Sequence, residues 1–380
     1  MEDGVLHRGK TFVVRRARPN DGPALCELFK KVHLKSDLDV TQERDPDFFA
    51  LPRLHTDHFD VWLGENQRGT LGGCGTLALR PGWFDGAVRT VGYLSDLRVV
   101  PGFRAPGGMP LAFRLALEQA RERDGAEVFY TVIFDSNAIA RRALTGRGDR
   151  RREDQPRYVP MTPFHMTSLQ FTTQKGRPRG RVEPATALDL PALVDLLARG
   201  GKSRVMGEVF DQVALERRLA SWPGLRLEDF LLAKDAAGRL RGCCAPWDAD
   251  PVKRTRVLGY HGSMRWVRAA FDLGAKLLRY PPLPKPGECF RFAFLSHLEI
   301  EDDDPAVLHD LYLAAYDRLR GRGLHFLSAM IPVGSTLEKA ARGFTVTRTP
   351  MTIYAVTLPG SRYEGYNFRT SRPGFEMALS

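Results

Sequence analysis

The chain has 380 residues, of which 43% are hydrophobic and 27% charged, and a formal net charge of +11. That length exceeds one ordinary core and predicts two domains, and the composition is that of a folded chain rather than a disordered one. No apolar run approaches the roughly 18 residues of a membrane span, and MEDGVLHRGK lacks a signal-peptide core. The five cysteines show no CxxC spacing, which argues against a zinc site or a disulfide framework. The expectation is a reduced, cytoplasmic protein with no membrane association and no metal.

The positive balance favours an anionic partner: nucleic acid, anionic lipid or a polyphosphate ligand. Much of it lies in RRALTGRGDRRREDQPR (141–157) and KGRPRGR (175–181), which read as solvated loop and linker. Neither stretch interleaves aromatic residues, and no helix-turn-helix, zinc-finger or RNA-binding signature occurs. No nucleic-acid partner is expected.

In chain order, the first elements are a strand in TFVVRRA (11–17) and a capped helix in RPNDGPALCELF (18–29). A hairpin follows in DVWLGENQRGTLGGCGTLAL (60–79), then a long strand containing YLSDLRV (93–99). VVPGFRAPGGM turns into an amphipathic helix that runs through Ala120, followed by a strand in EVFYTVI (127–133) and a helix within 135–148. The same order then recurs. TALDLPALVDLL (186–197) sets Pro191-Ala192-Leu193 against Pro23-Ala24-Leu25, with Asp two residues before each proline. DFLLAKDAAGRLRGCCAPWD (229–248) answers the hairpin, FLSHLEI (294–300) answers YLSDLRV, and HFLSAMI (325–331) answers EVFYTVI. Four matches in one order identify a tandem duplication.

The third match is spaced more widely, which places an insertion near 250–285, where MRWVRAAFDLGAKLLRY predicts an amphipathic helix. The expected organisation is an N-terminal domain over 1–172 and a linker over 173–181. A C-terminal domain over 182–360 and an aromatic, basic tail over 361–380 complete it. Hairpins combined with βαβ crossovers predict an α/β fold with a mixed (α+β) sheet and helices on both faces.

The element order, with Leu97-Arg98-Val99-Val100-Pro101 leading into Arg104-Ala105-Pro106-Gly107-Gly108-Met109, resembles the GCN5-related N-acetyltransferase (GNAT) family. That family's loop reads Arg/Gln-x-x-Gly-x-Gly/Ala after Leu-x-Val-x-Pro. The resemblance covers both halves in element order and only the first in the loop, implying two tandem GNAT-like domains. It implies an acyl-CoA donor, acetyl-CoA or another acyl-CoA. The pyrophosphate would lie at Arg104, Ala105, Gly107, Gly108 and Met109, and the pantetheine arm along Leu97, Arg98 and Val99. Asn137 matches the asparagine that opens the following helix. A glycine turn entering a helix suits phosphate independently of the family, because N–H groups and the helix dipole converge there. Met109 replaces a small residue and Pro106 removes a donor. The family's acidic tyrosine falls near Leu144, so that group is absent.

Acyl transfer to an amine needs a deprotonated amine and donors for the carbonyl oxygen. Asp96 is a candidate base acting through water, or a strand aspartate in a structural hydrogen bond. By alternation Tyr93 shares a face with Ser95, and Asp96 with Leu94, so Ser95 or Tyr93 could orient substrate. Tyr130 reads as core, and His33, His55 and His58 lie where the acceptor site is expected. In the second copy Glu301, Asp302, Asp303 and Asp304 replace the glycine turn; they suit a helix cap and would repel pyrophosphate. One site per chain follows. The expected function is an acyl-CoA-dependent N-acyltransferase with an amine acceptor on a small molecule, peptide or protein. The alternative is a non-catalytic acyl-CoA-sensing or scaffold module.

Overall fold

The computed structural model describes residues 4–9, 12–33, 37–103, 108–146 and 155–380. The first half supplies β1 (Val5–Arg8), β2 (Phe12–Arg16), α1 (Gly22–Lys31), β3 (Leu38–Glu43), α2 (Ala50–His55), β4 (Phe59–Asn66) and β5 (Leu71–Phe84). It continues with β6 (Ala87–Val99), α3 (Gly108–Asp124), β7 (Val128–Phe134), α4 (Ala138–Thr145) and β8 (Arg157–Gln170). The second half supplies β9 (Arg181–Pro184), α5 (Leu190–Lys202), β10 (Gly207–Glu208), α6 (Gln212–Ser221), β11 (Leu231–Lys234) and β12 (Leu240–Asp248). Then come β13 (Arg254–Tyr260), α7 (Met264–Leu278), β14 (Cys289–Phe290), β15 (Phe292–Ile300), α8 (Pro305–Leu319), β16 (Phe326–Pro332) and β17 (Val346–Thr357).

Two compact units result. The first holds Met1–Leu34, Thr41–Pro163 and Met351–Thr370; the second holds Lys35–Val40, Phe164–Pro350 and Ser371–Ser380. In the first, strands run in the order β1-β2-β4-β5-β6-β7-β17. Among the described residues only β6 and β7 are parallel, and β17 joins β7 through Met351↔Phe134 to Val356↔Phe129. In the second the order is β8-β16-β15-β12-β11-β9, with β15 and β16 parallel and β8 joining β16 through Gln170↔Phe326 to Phe164↔Pro332.

Neither unit coincides with one half of the chain. The C-terminal part of each copy's last strand lies in the other unit, so the boundaries expected from the linear duplication do not separate the units. Alternation in a strand fixes the face it buries and not the neighbour it pairs with, so the exchange leaves no trace in the sequence. The tail also divides. Tyr363, Tyr366 and Phe368 pack their rings on Phe84 in the first unit, at 4.9, 5.3 and 5.7 Å. Residues 371–380 belong to the second unit.

The duplication is visible in detail at the helix starts. Asp21 accepts from the Arg18 N–H at 2.6 Å and Asp189 from the Thr186 N–H at 2.9 Å, closing the same turn ahead of α1 and α5. Pro23 and Pro191 sit in the first turn, where a missing N–H costs nothing. In the first unit the sheet buries one face under α3, with Leu77, Leu79, Leu94, Leu117 and Phe129 fully enclosed. The other face lies under α1, with Leu25, Phe29, Phe48, Leu63 and Cys74 enclosed. This two-sided burial is what the crossover from β6 through α3 to β7 requires.

Candidate functional site

The centre of the first unit is a break in its sheet. β5 and β6 pair antiparallel, with the register shifting between Cys74 and Thr76. Opposite the shift Asp96 takes φ +57°, a left-handed conformation that Asp tolerates better than most residues. On the far edge of β6, the parallel ladder with β7 runs from Val91↔Val128 to Leu94↔Thr131. Both strands continue, to Val99 and Phe134, yet among the described residues they pair no further. Thr131 Oγ1 donates to the Leu94 carbonyl at 2.9 Å where the strands part.

The bulge also corrects the expected direction of Asp96. Strict alternation puts it with Leu94, which packs under α3. The extra residue instead turns it to the other face, where it accepts from Thr76 Oγ1 at 3.0 Å and from Arg44 Nη2 at 2.8 Å. Both partners of that ion pair are dry, with 1% of the Arg44 side chain exposed and 6% of the Asp96 side chain. Cys74 Sγ donates to the Asp96 carbonyl at 3.4 Å. Arg98 lies over the Phe29 ring at 4.6 Å, and burial lowers its pKa. Gly73 is needed there because a Cβ would lie 2.7 Å from the Arg98 carbonyl oxygen.

Beside the bulge runs a row of rings. His55, at the end of α2, meets Tyr93 at 5.1 Å, and Tyr93 stacks on Tyr130 at 5.0 Å. Arg80 Nη2 lies 3.5 Å from the Tyr130 hydroxyl. Burial, then the neighbouring Tyr130 and Asp96, push the Tyr93 phenol well above its usual range, so it stays protonated. Ser95 is half-buried between Tyr93 and Asp96 and pairs with Thr76. Of the three histidines picked out in the sequence, only His55 reaches this row. His58 is drawn to Arg123 and Asp124 at the far end of α3, at 3.0 and 3.5 Å, and His33 follows the end of α1. The row combines His55, Tyr93 and Tyr130 across α2, β6 and β7, which spacing along the chain could not reveal.

Beyond the bulge, Leu97, Arg98 and Val99 complete β6 and run into a turn. The Phe103 N–H bonds the Val100 carbonyl at 3.0 Å around Pro101 and Gly102, whose φ of +85° only glycine adopts freely. The Phe103 ring lies flat on Gly72, where a Cβ would sit 1.9 Å from it. Arg104, Ala105 and Gly107 lie outside the described residues. Gly108 and Met109 form the first backbone positions of α3. Asn137 caps α4, its side chain accepting from the Ala140 N–H at 3.0 Å, and Leu144 lies within that helix. On the α3 face, Gly64, Gly73, Gly75, Leu94 and Phe113 help enclose an apolar cavity of about 40 Å³. That is room for roughly three water-sized groups.

The second unit repeats the break with other chemistry. β12 and β15 shift register between Cys243 and Ala245, His297 takes φ +51°, and Cys243 Sγ donates to its carbonyl at 3.4 Å. The parallel ladder stops at Phe294↔Ser328, although β15 runs on to Ile300. Here the tail closes in: Glu376 accepts from the His297 N–H at 2.8 Å and from the Ala378 N–H at 3.0 Å. The imidazole is enclosed by Trp222 and Phe230, at 5.0 and 5.1 Å, and burial pushes its pKa down to about 3. In place of the glycine turn, Glu301 pairs with Arg199, Arg239 and Arg241 at 3.1, 3.2 and 2.8 Å. Asp304 caps α8, accepting from the Ala306 N–H at 2.8 Å.

No protein-family model matches the chain, and no curated protein matches it in sequence. Solved structures do match its fold. N-myristoyltransferase of Saccharomyces cerevisiae with bound myristoyl-CoA superposes with a TM-score of 0.62 at 10% identity, over 98% of this chain and 83% of that one. A GCN5-related N-acetyltransferase from Sphaerobacter thermophilus gives 0.56 at 14% identity, over 97% and 98%. A GCN5-related glucosamine N-acetyltransferase region of a fungal multi-domain β-N-acetylglucosaminidase gives 0.59 at 12% identity, over 92% of this chain and 38% of that one. The chain therefore has the GNAT fold, in tandem, as its element order led one to expect.

Proposed function

We propose that this chain is an acyl-CoA-dependent N-acyltransferase. It would transfer an acetyl group from acetyl-CoA to an amine of a small molecule, peptide or protein, at one site in the first unit. The observation that carries this reading is the parted strand pair β6–β7, beginning at the Asp96 bulge and leading into the start of α3. Strand-edge backbone groups of residues 95–99 become available there without breaking a ladder, which suits an extended arm carrying amides. The likeness to acyl-CoA-dependent transferases of the same fold supports it. A bound acyl-CoA supplies the activated thioester.

The chain's own groups divide the remaining work. Leu97, Arg98 and Val99 line the arm, and the start of α3, with Arg104, Ala105, Gly107, Gly108 and Met109, takes the pyrophosphate. Asn137, spent on its cap, orients α4 beside that path. Tyr93, held protonated by burial, offers a hydrogen bond. Ser95 stands beside it to orient the acceptor. Asp96 is a positioning residue: its carboxylate is taken by Arg44 and Thr76, and it holds the bulge that parts the strands. The second unit holds no cofactor in this reading, since Glu376 fills the bulge N–H and carboxylates fill the turn. Five cysteines without a disulfide among the described residues suit a reducing, cytoplasmic compartment.

Calorimetry with acetyl-CoA, followed by thiol release across a panel of amines, tests the proposal. Binding below millimolar concentration with amine-dependent release is expected. Absence of binding overturns the cofactor assignment, and binding without release from any amine overturns the catalytic one.

A further inference from the structure

α7 lies in the insertion that distinguishes the second copy, and the fold uses only one of its two apolar edges. At 100° per residue, Met264, Phe271 and Ala275 form one edge, together with the stem of Arg268. This edge faces the protein: Ala275 is buried, Met264 packs half-buried against the Val257–Tyr260–Phe290 cluster, and Arg268 lies over the Tyr260 ring at 4.9 Å. The opposite edge carries Trp266, Ala270, Leu273 and Leu277, with Val267 and Leu278 on one flank between the two edges. Trp266 is 80% exposed, Leu273 62% and Leu277 74%. Scattered surface hydrophobes need no explanation, but a tryptophan and two leucines aligned along three turns do.

The polar arc on the other flank holds Arg265 and Lys276, with Arg279 following the helix, against a single acid, Asp272, which Arg268 pairs at 3.4 Å. Cations therefore border the exposed apolar edge, with a tryptophan near one end of it. We infer that α7 is an interfacial helix that docks the protein on an anionic lipid surface, its Trp266–Leu273–Leu277 edge entering the headgroup boundary and Arg265 and Lys276 meeting the phosphates. This arrangement of apolar stripe, tryptophan and basic flank suits a helix lying in the membrane plane. The sequence expectation of no membrane association rests on the lack of a spanning segment. No helix among the described residues is long and apolar enough to cross a membrane, and an interfacial helix needs no such length. The inference is independent of the proposed active site.

Flotation with vesicles tests it. At physiological salt, the full chain is expected to float with vesicles of 70% phosphatidylcholine and 30% phosphatidylglycerol, and much less with phosphatidylcholine alone. Tryptophan emission should shift to the blue, and lipid brominated near the headgroup should quench it in the wild type but not in W266F. L273Q/L277Q leaves the charge unchanged and removes two exposed leucines, so partitioning should fall ~10-fold or more at an unaltered melting temperature. R265Q/K276Q should erase the preference for the anionic vesicles. Wild-type protein that stays soluble with both vesicles overturns the inference. So does L273Q/L277Q floating as well as wild type, which would reduce the effect to bulk charge. A wild-type dimer by light scattering that L273Q/L277Q converts to monomer also overturns it, assigning the edge to a second copy.

Discussion

The Arg44–Asp96 pair decides whether Asp96 anchors the bulge or acts as a base. Its N–O distance is 2.8 Å and both side chains are nearly solvent-free. Removing one member of such a pair strands the other charge in a dry site and costs about 3–5 kcal/mol. Asp96→Ala also loses the Thr76 hydrogen bond, about 1 kcal/mol. It further places an alanine at φ +57°, adding about 1 kcal/mol or more. Asp96→Asn keeps the side chain's shape and its tolerance of that φ, so its loss should be the smaller. For a body of 150–250 residues each kcal/mol moves the melting temperature by roughly 2–4 °C, so D96A should melt at least 10 °C lower by roughly that measure. Calorimetric melting of D96N, R44M and D96N/R44M gives the coupling. The double variant should be less damaged than the two singles together by at least about 1.5 kcal/mol. Additivity within about 0.5 kcal/mol, or singles costing less than about 1 kcal/mol, would refute the anchoring argument. A folded D96N that loses about a hundredfold in kcat together with the acidic limb of the pH profile would restore Asp96 as a base.

The second bulge should be visible in acid. His297 is pushed down from 6.5 to about 3 by burial, so only the unfolded chain takes up its proton between those values. Stability from this group is complete above pH 6.5 and is lost as pH falls towards 3, at up to about 1.4 kcal/mol per unit. Burial raises Glu376, which faces it, and this works in the opposite direction; Glu208 and Arg218 also act on the imidazole. The quantity to measure is therefore the difference between wild type and H297N in urea unfolding from pH 7 to pH 4, and equal slopes would contradict it. Cys26, Cys74, Cys243 and Cys244 are buried, burial raises each of their thiols, and Cys289 alone is half-exposed. Ellman's reagent should label one thiol quickly in the native protein and all five in denaturant; two or more fast thiols would contradict that packing. Gly72→Ala drives a Cβ into the Phe103 ring and should cost about 1–3 kcal/mol and weaken acetyl-CoA binding, whereas Gly176→Ala, with open space around it, should be silent by melting and calorimetry.

Much of the fold was legible because the chain states it twice. The hairpins of β4–β5 and β11–β12, the crossovers through α3 and α8, and the capping aspartates Asp21 and Asp189 all carry local signals: turn residues, alternation and cap chemistry. β3 was missed, since LDVTQE is short and polar and its partners are distant in sequence. The exchange of β8 and β17 was missed for a related reason, as nothing within a strand names its neighbour. The site was legible in its strand and not in its partners. Tyr93, Ser95 and Asp96 were found on β6, whereas Arg44, His55 and Thr76, which give them their environment, arrive from 20 to 52 residues away.

The alternation rule failed at Asp96, and it would fail at His297 for the same reason. Each residue follows a serine, takes a left-handed φ and receives a cysteine thiol on its carbonyl from the adjacent strand. A bulge preserved in both copies belongs to the ancestral fold, because two independent insertions would not recruit the same cysteine contact. What differs is how each copy satisfies it. The first answers with a charged side-chain pair behind the strand and leaves the parted edge to whatever lies along it. The second makes the bulge residue a neutral, caged histidine and brings the carboxylate of Glu376 to its N–H. A carboxylate oxygen accepting at a bulge N–H occupies the place of any other acceptor, a thioester oxygen included. The tail therefore closes the second copy at its bulge N–H, the place the proposed function leaves open in the first.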